Sequence, residues 1–308
     1  MGMNLLDTPF HGINFAPFPH RGVLDSETAR RSLGEMAETT GANWVIFSPA
    51  GVQADPYSEG IDWQGEYTPT DAELIDAIRR AKALGLQVAL KPTVNCLNGV
   101  WRARISFFDH DVPCESQWGR WFANYTAFQN HFADIAQAEG CGLFLTGCEM
   151  TMTEHRETEW RALLAEVRRR YSGLLSYNCD KYGEDHVAWW DAVDLIASSG
   201  YYPLHDWPRQ LARVETAAQK FGKPVLFSEA GCMNVHGSAA VPNNWEVQGA
   251  QDDAEQAAWY ADMFAACADK PWVWGHGLWD WPADPEQPSH YAISRRAAGN
   301  VVADWWHK

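Results

Sequence analysis

The chain has 308 residues, a formal net charge of −16 and a pI near 5.0. This acidic balance argues against a nucleic-acid-binding protein, because phosphate binding needs clustered Lys and Arg. No run approaches the ~18 consecutive apolar residues of a membrane span, and residues 1–20 lack the basic and apolar segments of a signal peptide. We therefore expect a cytoplasmic protein with no membrane partner, although a secreted protein whose signal peptide has been removed would look the same.

Strand-like and helix-like segments alternate along the chain. Eight apolar strand-like runs are predicted at 11–17, 43–49, 87–94, 142–150, 173–179, 194–202, 223–231 and 272–281. Amphipathic helical runs are predicted between them at 25–41, 70–85, 118–140, 158–171, 207–222 and 254–270. Several of these helices begin at Ser, Thr or Asp and end near Gly, as helix caps require. Residues 283–308 show only a weak helical pattern before VVADWW.

The strand-like runs also predict the fold class. They are continuously apolar, which is typical of parallel strands that are covered on both faces. Eight such units predict an α/β fold, a single (β/α)8 TIM barrel over residues 1–308, since no linker or change in composition marks a second domain. The segments 51–69, 97–117 and 232–253 are long for βα loops, which usually have ~2–6 residues, so we expect them to wall a cleft.

Two of the predicted strands end on a glutamate. The run GLFLTGCEM contains Glu149, and the run KPVLFSEAG contains Glu229. Because barrel enzymes assemble their active sites at the carboxyl ends of strands, these residues predict paired-carboxylate chemistry of the kind that cleaves glycosidic bonds. The structural alternative is a salt bridge at the barrel rim. Strand alternation predicts that Glu149 shares a face with Leu143, Leu145 and Gly147, and that Glu229 shares one with Val225 and Phe227.

Aromatic and polar residues at strand ends and in loops support a sugar site. Seventeen Trp is a high count for this length, and indole faces stack on sugar rings, although core packing is the alternative for any one Trp. The Trp residues at strand ends or in loops are Trp63, Trp101, Trp245, Trp279 and Trp281. Polar residues expected to converge on the same rim are Asn14, Lys91, Asn95, Asn178, Tyr201, Tyr202 and Asp280. Lys91 either binds sugar hydroxyls or forms a barrel ion pair, and both readings stay open.

Motifs for other kinds of chemistry are missing. No HExxH or comparable His cluster indicates a metal site, and no Gly-rich loop indicates a nucleotide. Ser228 lacks the GxSxG turn of a serine hydrolase. The seven cysteines form no CxxC pair and fit reduced, mostly buried thiols. We therefore expect neither a metal nor a cofactor.

Six runs of sequence are specific in combination: LKPTVN, VWRARISF, WGRWFANYTAFQNHFADIA, GLFLTGCEM, SGYYPL and KPVLFSEAG. Together they resemble glycoside hydrolase family 113, the β-mannanase family of clan GH-A. The resemblance covers most of residues 11–281. It implies a retaining β-glycosidase whose substrate is β-1,4-mannan or manno-oligosaccharides.

The resemblance also implies roles for individual residues. Glu149 would be the general acid/base and Glu229 the nucleophile. Tyr201 is similar to the tyrosine that hydrogen-bonds the nucleophile, with the adjacent Tyr202 as the alternative. Trp279 resembles the aromatic platform under the sugar in subsite −1. Positions that family members keep near the substrate are matched by Lys91, Trp101 and Arg102.

One position departs from the clan pattern. Cys148 stands directly before the acid/base, where clan members commonly carry an Asn that binds the sugar 2-hydroxyl. Asn178 and Lys91 are the candidates to supply that contact. The departure leaves open another β-glycoside specificity, such as β-glucan or β-xylan, and a carbohydrate-binding barrel without catalysis is the alternative from a different class. The sequence leaves the linkage, endo or exo action and the oligomeric state open.

Overall fold

The computed structural model describes residues 5–307. Its strands, numbered in chain order, are β1 Phe10–Phe15, β2 Trp44–Phe47, β3 Ala50–Gln53, β4 Gln87–Leu90, β5 Thr93–Cys96, β6 Leu143–Cys148, β7 Leu174–Cys179, β8 Ile196–Ser199, β9 Val225–Ala230 and β10 Val273–Trp281. Eight of them form a closed barrel in the order β1-β10-β9-β8-β7-β6-β4-β2. Every neighbouring pair in the barrel is parallel. The predicted (β/α)8 barrel is confirmed.

Helices surround the barrel. Within residues 5–307 the α-helices are α1 Glu27–Thr40, α2 Asp71–Ala83, α3 Trp118–Ala138, α4 Glu157–Arg170, α5 Trp207–Phe221, α6 Asp253–Cys267 and α7 Ala297–Trp306. The six predicted helices all form, and α7 lies in the segment with the weak pattern. Of the helices in residues 5–307, none combines the length and the apolar character that crossing a bilayer requires.

Prolines shorten two of the predicted strands. The run 43–49 ends as β2 at Phe47, and the run 87–94 ends as β4 at Leu90; Pro49 and Pro92 follow. Proline has no N–H to donate to a strand ladder, so the sheet breaks there. Pairing resumes in β3 and β5, which form a separate parallel pair beyond the barrel. The loop 51–69 is therefore built on this small sheet.

Most of the seventeen Trp residues pack in the core. A cluster inside the barrel includes Trp44 and Trp274, and a larger layer lies between the strands and the helices. Trp281 is buried in this outer layer, and its Nε1 donates to Ser32 Oγ of α1 at 2.9 Å. Trp63 packs against Phe128 of α3 at 5.7 Å. Core packing is therefore the correct reading for Trp63 and Trp281.

An irregular register in β6 changes which side chains reach the barrel mouth. Leu145 faces the interior, and the pairing with β7 then shifts before Cys148. Gly147 points outward to α3, where an added Cβ would lie 2.0 Å from the Tyr125 hydroxyl. Its φ of 110° suits glycine, which has no Cβ. The predicted shared face of Gly147 and Glu149 is wrong because this bulge interrupts the alternation.

The register of β9 is irregular at the second glutamate. Phe227 pairs with Ser198, whereas Glu229 pairs with Ser199, so β9 has one residue more than β8 at this point. Phe227 faces outward and packs against Trp207 of α5 at 5.2 Å. Glu229 instead lines the barrel mouth. The predicted shared face of Phe227 and Glu229 is therefore wrong for the same reason, and bulges are common beside active sites.

Candidate active site

A cleft of about 600 Å³ opens at the carboxyl ends of the barrel strands. Its walls are formed by Phe18, Trp101, Arg102, Glu149, Asp180, Lys181, Tyr201, Glu229, Asn243, Asn244, Trp245, Glu246, Trp279 and Tyr291. The loops 97–117 and 232–253 contribute to these walls, as expected from their length. The loop 51–69 does not, because it continues from the small β3–β5 sheet and packs toward α3.

Glu149 sits in a buried, partly cationic corner of the cleft. Its Oε2 accepts from Trp101 Nε1 at 3.1 Å and from Arg102 Nη1 at 3.2 Å. Burial raises the pKa of Glu149 to about 7, the negative charges of Glu229 and Asp180 add to the rise, and Arg102 opposes it. A carboxyl group with such a pKa can give up and take back a proton near neutral pH.

Glu229 is held by donors on both carboxylate oxygens. Oε1 forms an ion pair with Lys91 Nζ and accepts from Cys148 Sγ at 3.1 Å. Oε2 accepts from the Tyr201 hydroxyl at 3.2 Å. Burial by itself would raise the pKa of Glu229, but the Lys91 and Arg102 cations outweigh it and hold the pKa below its usual value. This carboxylate is ionised at neutral pH, as a nucleophile must be.

The two carboxyl groups are close together. The Cys148 sulfur and one carboxylate oxygen each from Glu149 and Glu229 lie within 4.8 Å of one another. Retaining glycosidases have carboxyl groups about 5–5.5 Å apart, whereas inverting ones need roughly 6.5–9.5 Å. The same three groups fit a metal ion poorly. Burial raises the pKa of the Cys148 thiol well above its usual value, and Lys91 already neutralises Glu229.

Of the two adjacent tyrosines, Tyr201 reaches the site. The Tyr202 hydroxyl donates instead to Glu184, and Tyr202 is fully buried behind the barrel strands, where it packs against Trp207 at 4.9 Å. Successive residues of an extended segment point to opposite sides, so only one of the pair can face the barrel mouth. The expectation that Tyr202 binds substrate is wrong.

Two predicted substrate ligands are buried beneath the cleft. The Asn14 amide donates to the carbonyl oxygens of Ser228, Gly277 and Leu278 at 3.0, 3.1 and 3.2 Å. Asn178 Nδ2 donates to Ser199 Oγ at 2.9 Å and lies 3.5 Å from Cys148 Sγ. Neither side chain lines the cleft, so Asn14 joins strands and Asn178 supports the groups above it.

Three other residues that were predicted at the rim do not line the cleft themselves. Asn95 Oδ1 accepts from Arg102 Nη2 at 3.0 Å and thereby orients the guanidinium toward Glu149. Asp280 accepts from Ser289 Oγ at 3.0 Å, and burial raises the pKa of Asp280 to about 6. Lys91 is fully buried and forms an ion pair with Glu229. Of the two interpretations that the sequence left open for Lys91, the structure therefore has the ion pair.

Two pairs of aromatic rings line the cleft. Trp279 lies next to Phe18 at a centroid distance of 5.5 Å, and Lys91 Nζ is 5.3 Å from its ring. Trp101 meets Trp245 edge to face at 6.3 Å. Together these rings offer apolar surfaces on which sugar rings can stack.

The sequence analysis did not identify several residues that line the cleft. Phe18, Asp180 and Lys181 follow predicted strands directly, so their position at a strand end was an available signal. Tyr291 comes from the segment after β10, where no sequence pattern pointed to the site. Its place in the wall depends on how that segment folds back over the barrel.

Comparison with known proteins agrees with this geometry. Residues 13–297 match the family model described as Glycoside Hydrolase Family 113. A solved GH113 β-1,4-mannanase is 44% identical, with a TM-score of 0.95, over 98% of this chain and 99% of that chain. The GH113 β-mannanase AaManA from Alicyclobacillus acidocaldarius, solved with ManMIm, is 38% identical, with a TM-score of 0.94, over 99% of both chains.

More distant structures share the fold alone. A β-glucuronidase from Ruminococcus gnavus is 14% identical, with a TM-score of 0.65, over 97% of this chain and 50% of that chain. Among curated proteins, none matches this chain at a significant level. The family match spans most of the chain, and it includes the strands that carry both glutamates. The chain is therefore a glycoside hydrolase and belongs to glycoside hydrolase family 113.

Proposed function

We propose that the protein is a retaining β-mannanase that hydrolyses β-1,4-mannosidic bonds by double displacement. Glu229 is the nucleophile and Glu149 is the general acid/base. One observation carries this proposal: two carboxyl groups, with one oxygen of each within 4.8 Å of the other, have opposite surroundings. Glu149 is buried with a pKa of about 7, and Glu229 is paired with a buried lysine. Such a division of pKa values identifies the acid and the nucleophile.

The first step transfers the glycosyl group to the enzyme. A Glu229 carboxylate oxygen forms a bond to the anomeric carbon while the glycosidic C–O bond breaks. The proton of Glu149 moves to the departing oxygen, so the leaving group departs as a neutral alcohol. The product is a glycosyl ester of Glu229 with inverted anomeric configuration, and Glu149 is left as a carboxylate beside Arg102.

The second step returns the enzyme to its starting state. The Glu149 carboxylate takes a proton from water, and the water oxygen bonds to the anomeric carbon as the ester bond to Glu229 breaks. A second inversion restores the β configuration. Lys91 stabilises the Glu229 carboxylate as it is released, because the ammonium lies directly on Oε1.

Two sequence similarities support mannan as the substrate. The GH113 mannanases at 44% and 38% identity match this chain over nearly its whole length. Because Cys148 stands where clan members commonly carry Asn, the sugar preference is the part to test first. We expect kcat/KM on manno-oligosaccharides to exceed that on cello- and xylo-oligosaccharides of equal length. A preference for another sugar would replace the mannan assignment, and binding without turnover would indicate a carbohydrate-binding barrel.

Chemical rescue tests the roles of the two glutamates. With an activated aryl β-mannoside and azide, Glu229→Ala should give the α-glycosyl azide, because azide replaces the nucleophile in a single inversion. Glu149→Ala should give the β-glycosyl azide, because azide intercepts the glycosyl-enzyme. Glu157→Ala, which alters a partly exposed glutamate of α4 that pairs with Arg161, is the control and should keep wild-type activity. The same azide anomer from both active-site variants would contradict the assignment.

A further inference from the structure

Glu149 has an unusual backbone conformation for a residue other than glycine. Its φ of 53° lies in the left-handed region, which residues with a Cβ seldom occupy unless the surrounding structure holds them there. Glu149 comes directly after Cys148, the last residue of β6. The left-handed turn at this point decides where the carboxyl group lies in the cleft. The contacts that hold this turn therefore bear on catalysis.

Both peptide planes next to the Glu149 Cα are held by hydrogen bonds to β7. The amide of Glu149 belongs to the plane that rotates with φ, and it donates to the carbonyl oxygen of Asn178 at 2.8 Å. The amide of Met150 belongs to the plane that rotates with ψ, and it donates to the Tyr177 hydroxyl at 2.8 Å. The Tyr177 side chain thus holds the second of these planes.

The Tyr177 hydroxyl is itself oriented by a partly buried carboxyl group. A hydroxyl has one proton to donate and lone pairs with which to accept. The Tyr177 hydroxyl donates its proton to Glu154 Oε1 at 2.7 Å, which leaves a lone pair for the Met150 amide. Burial raises the pKa of Glu154 to about 8, although the hydrogen bond from Tyr177 opposes the rise. Glu154 is therefore mainly a neutral carboxylic acid at neutral pH.

Two indoles hold the same group of residues in place. The Tyr177 ring packs against Trp160 at a centroid distance of 4.8 Å and against Trp189 at 5.1 Å. Trp189 Nε1 donates to the carbonyl oxygen of Glu154 at 3.2 Å, and Trp160 Nε1 donates to that of Thr153 at 3.0 Å. Neither Tyr177 nor Glu154 lines the cleft. Any effect of these two residues on the reaction must therefore pass through the acid/base.

We propose that Tyr177, oriented by Glu154, is a positioning residue for the acid/base Glu149. It fixes the peptide plane after Glu149 and so keeps the carboxyl group where it can protonate the departing oxygen and later take a proton from water. The inference rests on the proposed function, since it requires Glu149 to be the acid/base. It adds two residues outside the cleft that act on proton transfer and not on sugar binding.

Two substrates that differ in their need for an acid test this role. The leaving group of a manno-oligosaccharide must be protonated, whereas dinitrophenolate departs from an aryl β-mannoside without a proton. Tyr177→Phe keeps the ring between the two indoles and removes only the hydroxyl. It should lower kcat/KM for the oligosaccharide by roughly tenfold or more and leave kcat/KM for the dinitrophenyl β-mannoside nearly unchanged. Equal losses on both substrates, or no loss on either, would overturn the proposal.

Tyr171→Phe is the matched control. The Tyr171 hydroxyl donates to the carbonyl oxygen of Cys141 at 2.7 Å and is also buried, but both residues precede their strands, at the end of the barrel opposite the cleft. This variant should lower the melting temperature without changing the ratio of kcat/KM for the two substrates. A changed ratio in Tyr171→Phe would show that the ratio follows stability, and the positioning role would then fall.

Variants of Glu154 test the role without altering the buried ring, and they decide the matter if Tyr177→Phe does not fold. Glu154→Ala removes the acceptor of the Tyr177 proton, which can then turn toward the Met150 amide. We expect kcat/KM for the oligosaccharide to fall severalfold, with little change for the dinitrophenyl substrate. Glu154→Gln keeps an oxygen acceptor in a neutral group and should restore the wild-type ratio. An unchanged ratio in Glu154→Ala would overturn the proposal.

Glu149→Ala separates this inference from the function on which it rests. As the acid/base variant it should show the same selective loss on the oligosaccharide, and the loss should be larger than in Tyr177→Phe. Equal losses on both substrates in Glu149→Ala would overturn the acid/base assignment and the positioning role with it. A selective loss in Glu149→Ala but not in Tyr177→Phe would overturn the positioning role alone.

Discussion

At the scale of single residues, the two active-site glutamates have different pKa values because their neighbours differ. Glu149 is buried near the negative charges of Glu229 and Asp180, which raise its pKa, and the Arg102 cation only partly compensates for them. Glu229 has the fully buried Lys91 directly on one oxygen. Desolvation acts on both carboxyl groups, so the position of the lysine decides which of them ionises first.

The pH dependence of turnover follows from these two groups. The acid must be protonated, so kcat/KM should fall as the pH rises above about 7, where Glu149 loses its proton. The nucleophile must be ionised, so the acid limb should lie below the usual pKa of a glutamate, since Lys91 and Arg102 lower the pKa of Glu229. A pH profile measured on an oligosaccharide checks both limbs. Full activity retained well above pH 8 would contradict the role of Glu149.

Lys91→Met isolates the effect of the buried cation. Without the ammonium, burial should raise the pKa of Glu229, so the acid limb of the pH profile should move to higher pH. The folded protein should also lose about 3–5 kcal/mol of stability where Glu229 stays charged, because a buried charge is left without its partner. Lys223→Met is the control, since the Lys223 ammonium donates to the carbonyl oxygen of Val193. An acid limb that stays in place would show that Lys91 does not set this pKa.

At the scale of elements, bulges deliver the two glutamates to the barrel mouth. In β6 an outward-facing Gly147 precedes Cys148 and Glu149, and in β9 one additional residue precedes Glu229. A regular strand would alternate its side chains, so these irregularities change which face each glutamate occupies. Sequence periodicity identified the strands but not their faces, since a bulge leaves no apolar pattern of its own.

Gly147→Ala tests the bulge in β6. The new Cβ would overlap the Tyr125 hydroxyl at 2.0 Å, and φ is 110°, so we expect a loss of about 1–3 kcal/mol of stability and a lower kcat through displacement of Glu149. Adding Tyr125→Phe should recover part of the stability because it removes the overlapping oxygen. Chemical denaturation of both variants measures this.

Gly34→Ala provides the control for Gly147→Ala. Gly34 lies within α1, and an added Cβ would meet no atom within 4 Å. There the alanine should stabilise the protein by roughly 0.5–1 kcal/mol, because glycine is unfavourable inside a helix. Equal effects at the two positions would contradict the account of the bulge.

At the scale of the whole molecule, the barrel closes where the first and last strands meet. β1 pairs with β10, and Asn14 of β1 donates to carbonyl oxygens in both β9 and β10. These contacts join residues that are 214 to 264 positions apart in the chain. They stabilise the closed barrel on which the position of every site residue depends.

Asn14→Ala should therefore act on stability. Loss of the buried amide removes one donor from each of these three carbonyl oxygens, and we expect the free energy of unfolding to fall by about 1–3 kcal/mol. Because Asn14 does not line the cleft, KM should change little. Asn98→Ala is the control, since the exposed Asn98 side chain accepts from the amide of Val100, a local contact within the loop. A large rise in KM with unchanged stability would restore the substrate-binding role predicted from the sequence.

The sequence by itself determined the alternation of elements, the barrel and the two strand-end glutamates. These features depend on local patterns: apolar runs of strand length, helix caps, and acidic residues where a buried run ends. The family resemblance rested on similarly local motifs, and the family match over residues 13–297 confirms it. Proline positions also held a local signal for the breaks after β2 and β4.

Only the tertiary structure decided which of these side chains meet. Lys91 and Glu229 are 138 positions apart in the chain, and Cys148 and Glu229 are 81 apart. The choice of Tyr201 over Tyr202 depended on which of two adjacent side chains faces the barrel mouth. Such pairings follow from strand register, bulges and barrel closure, which no local pattern specifies, because a shift of one residue moves a side chain to the other face.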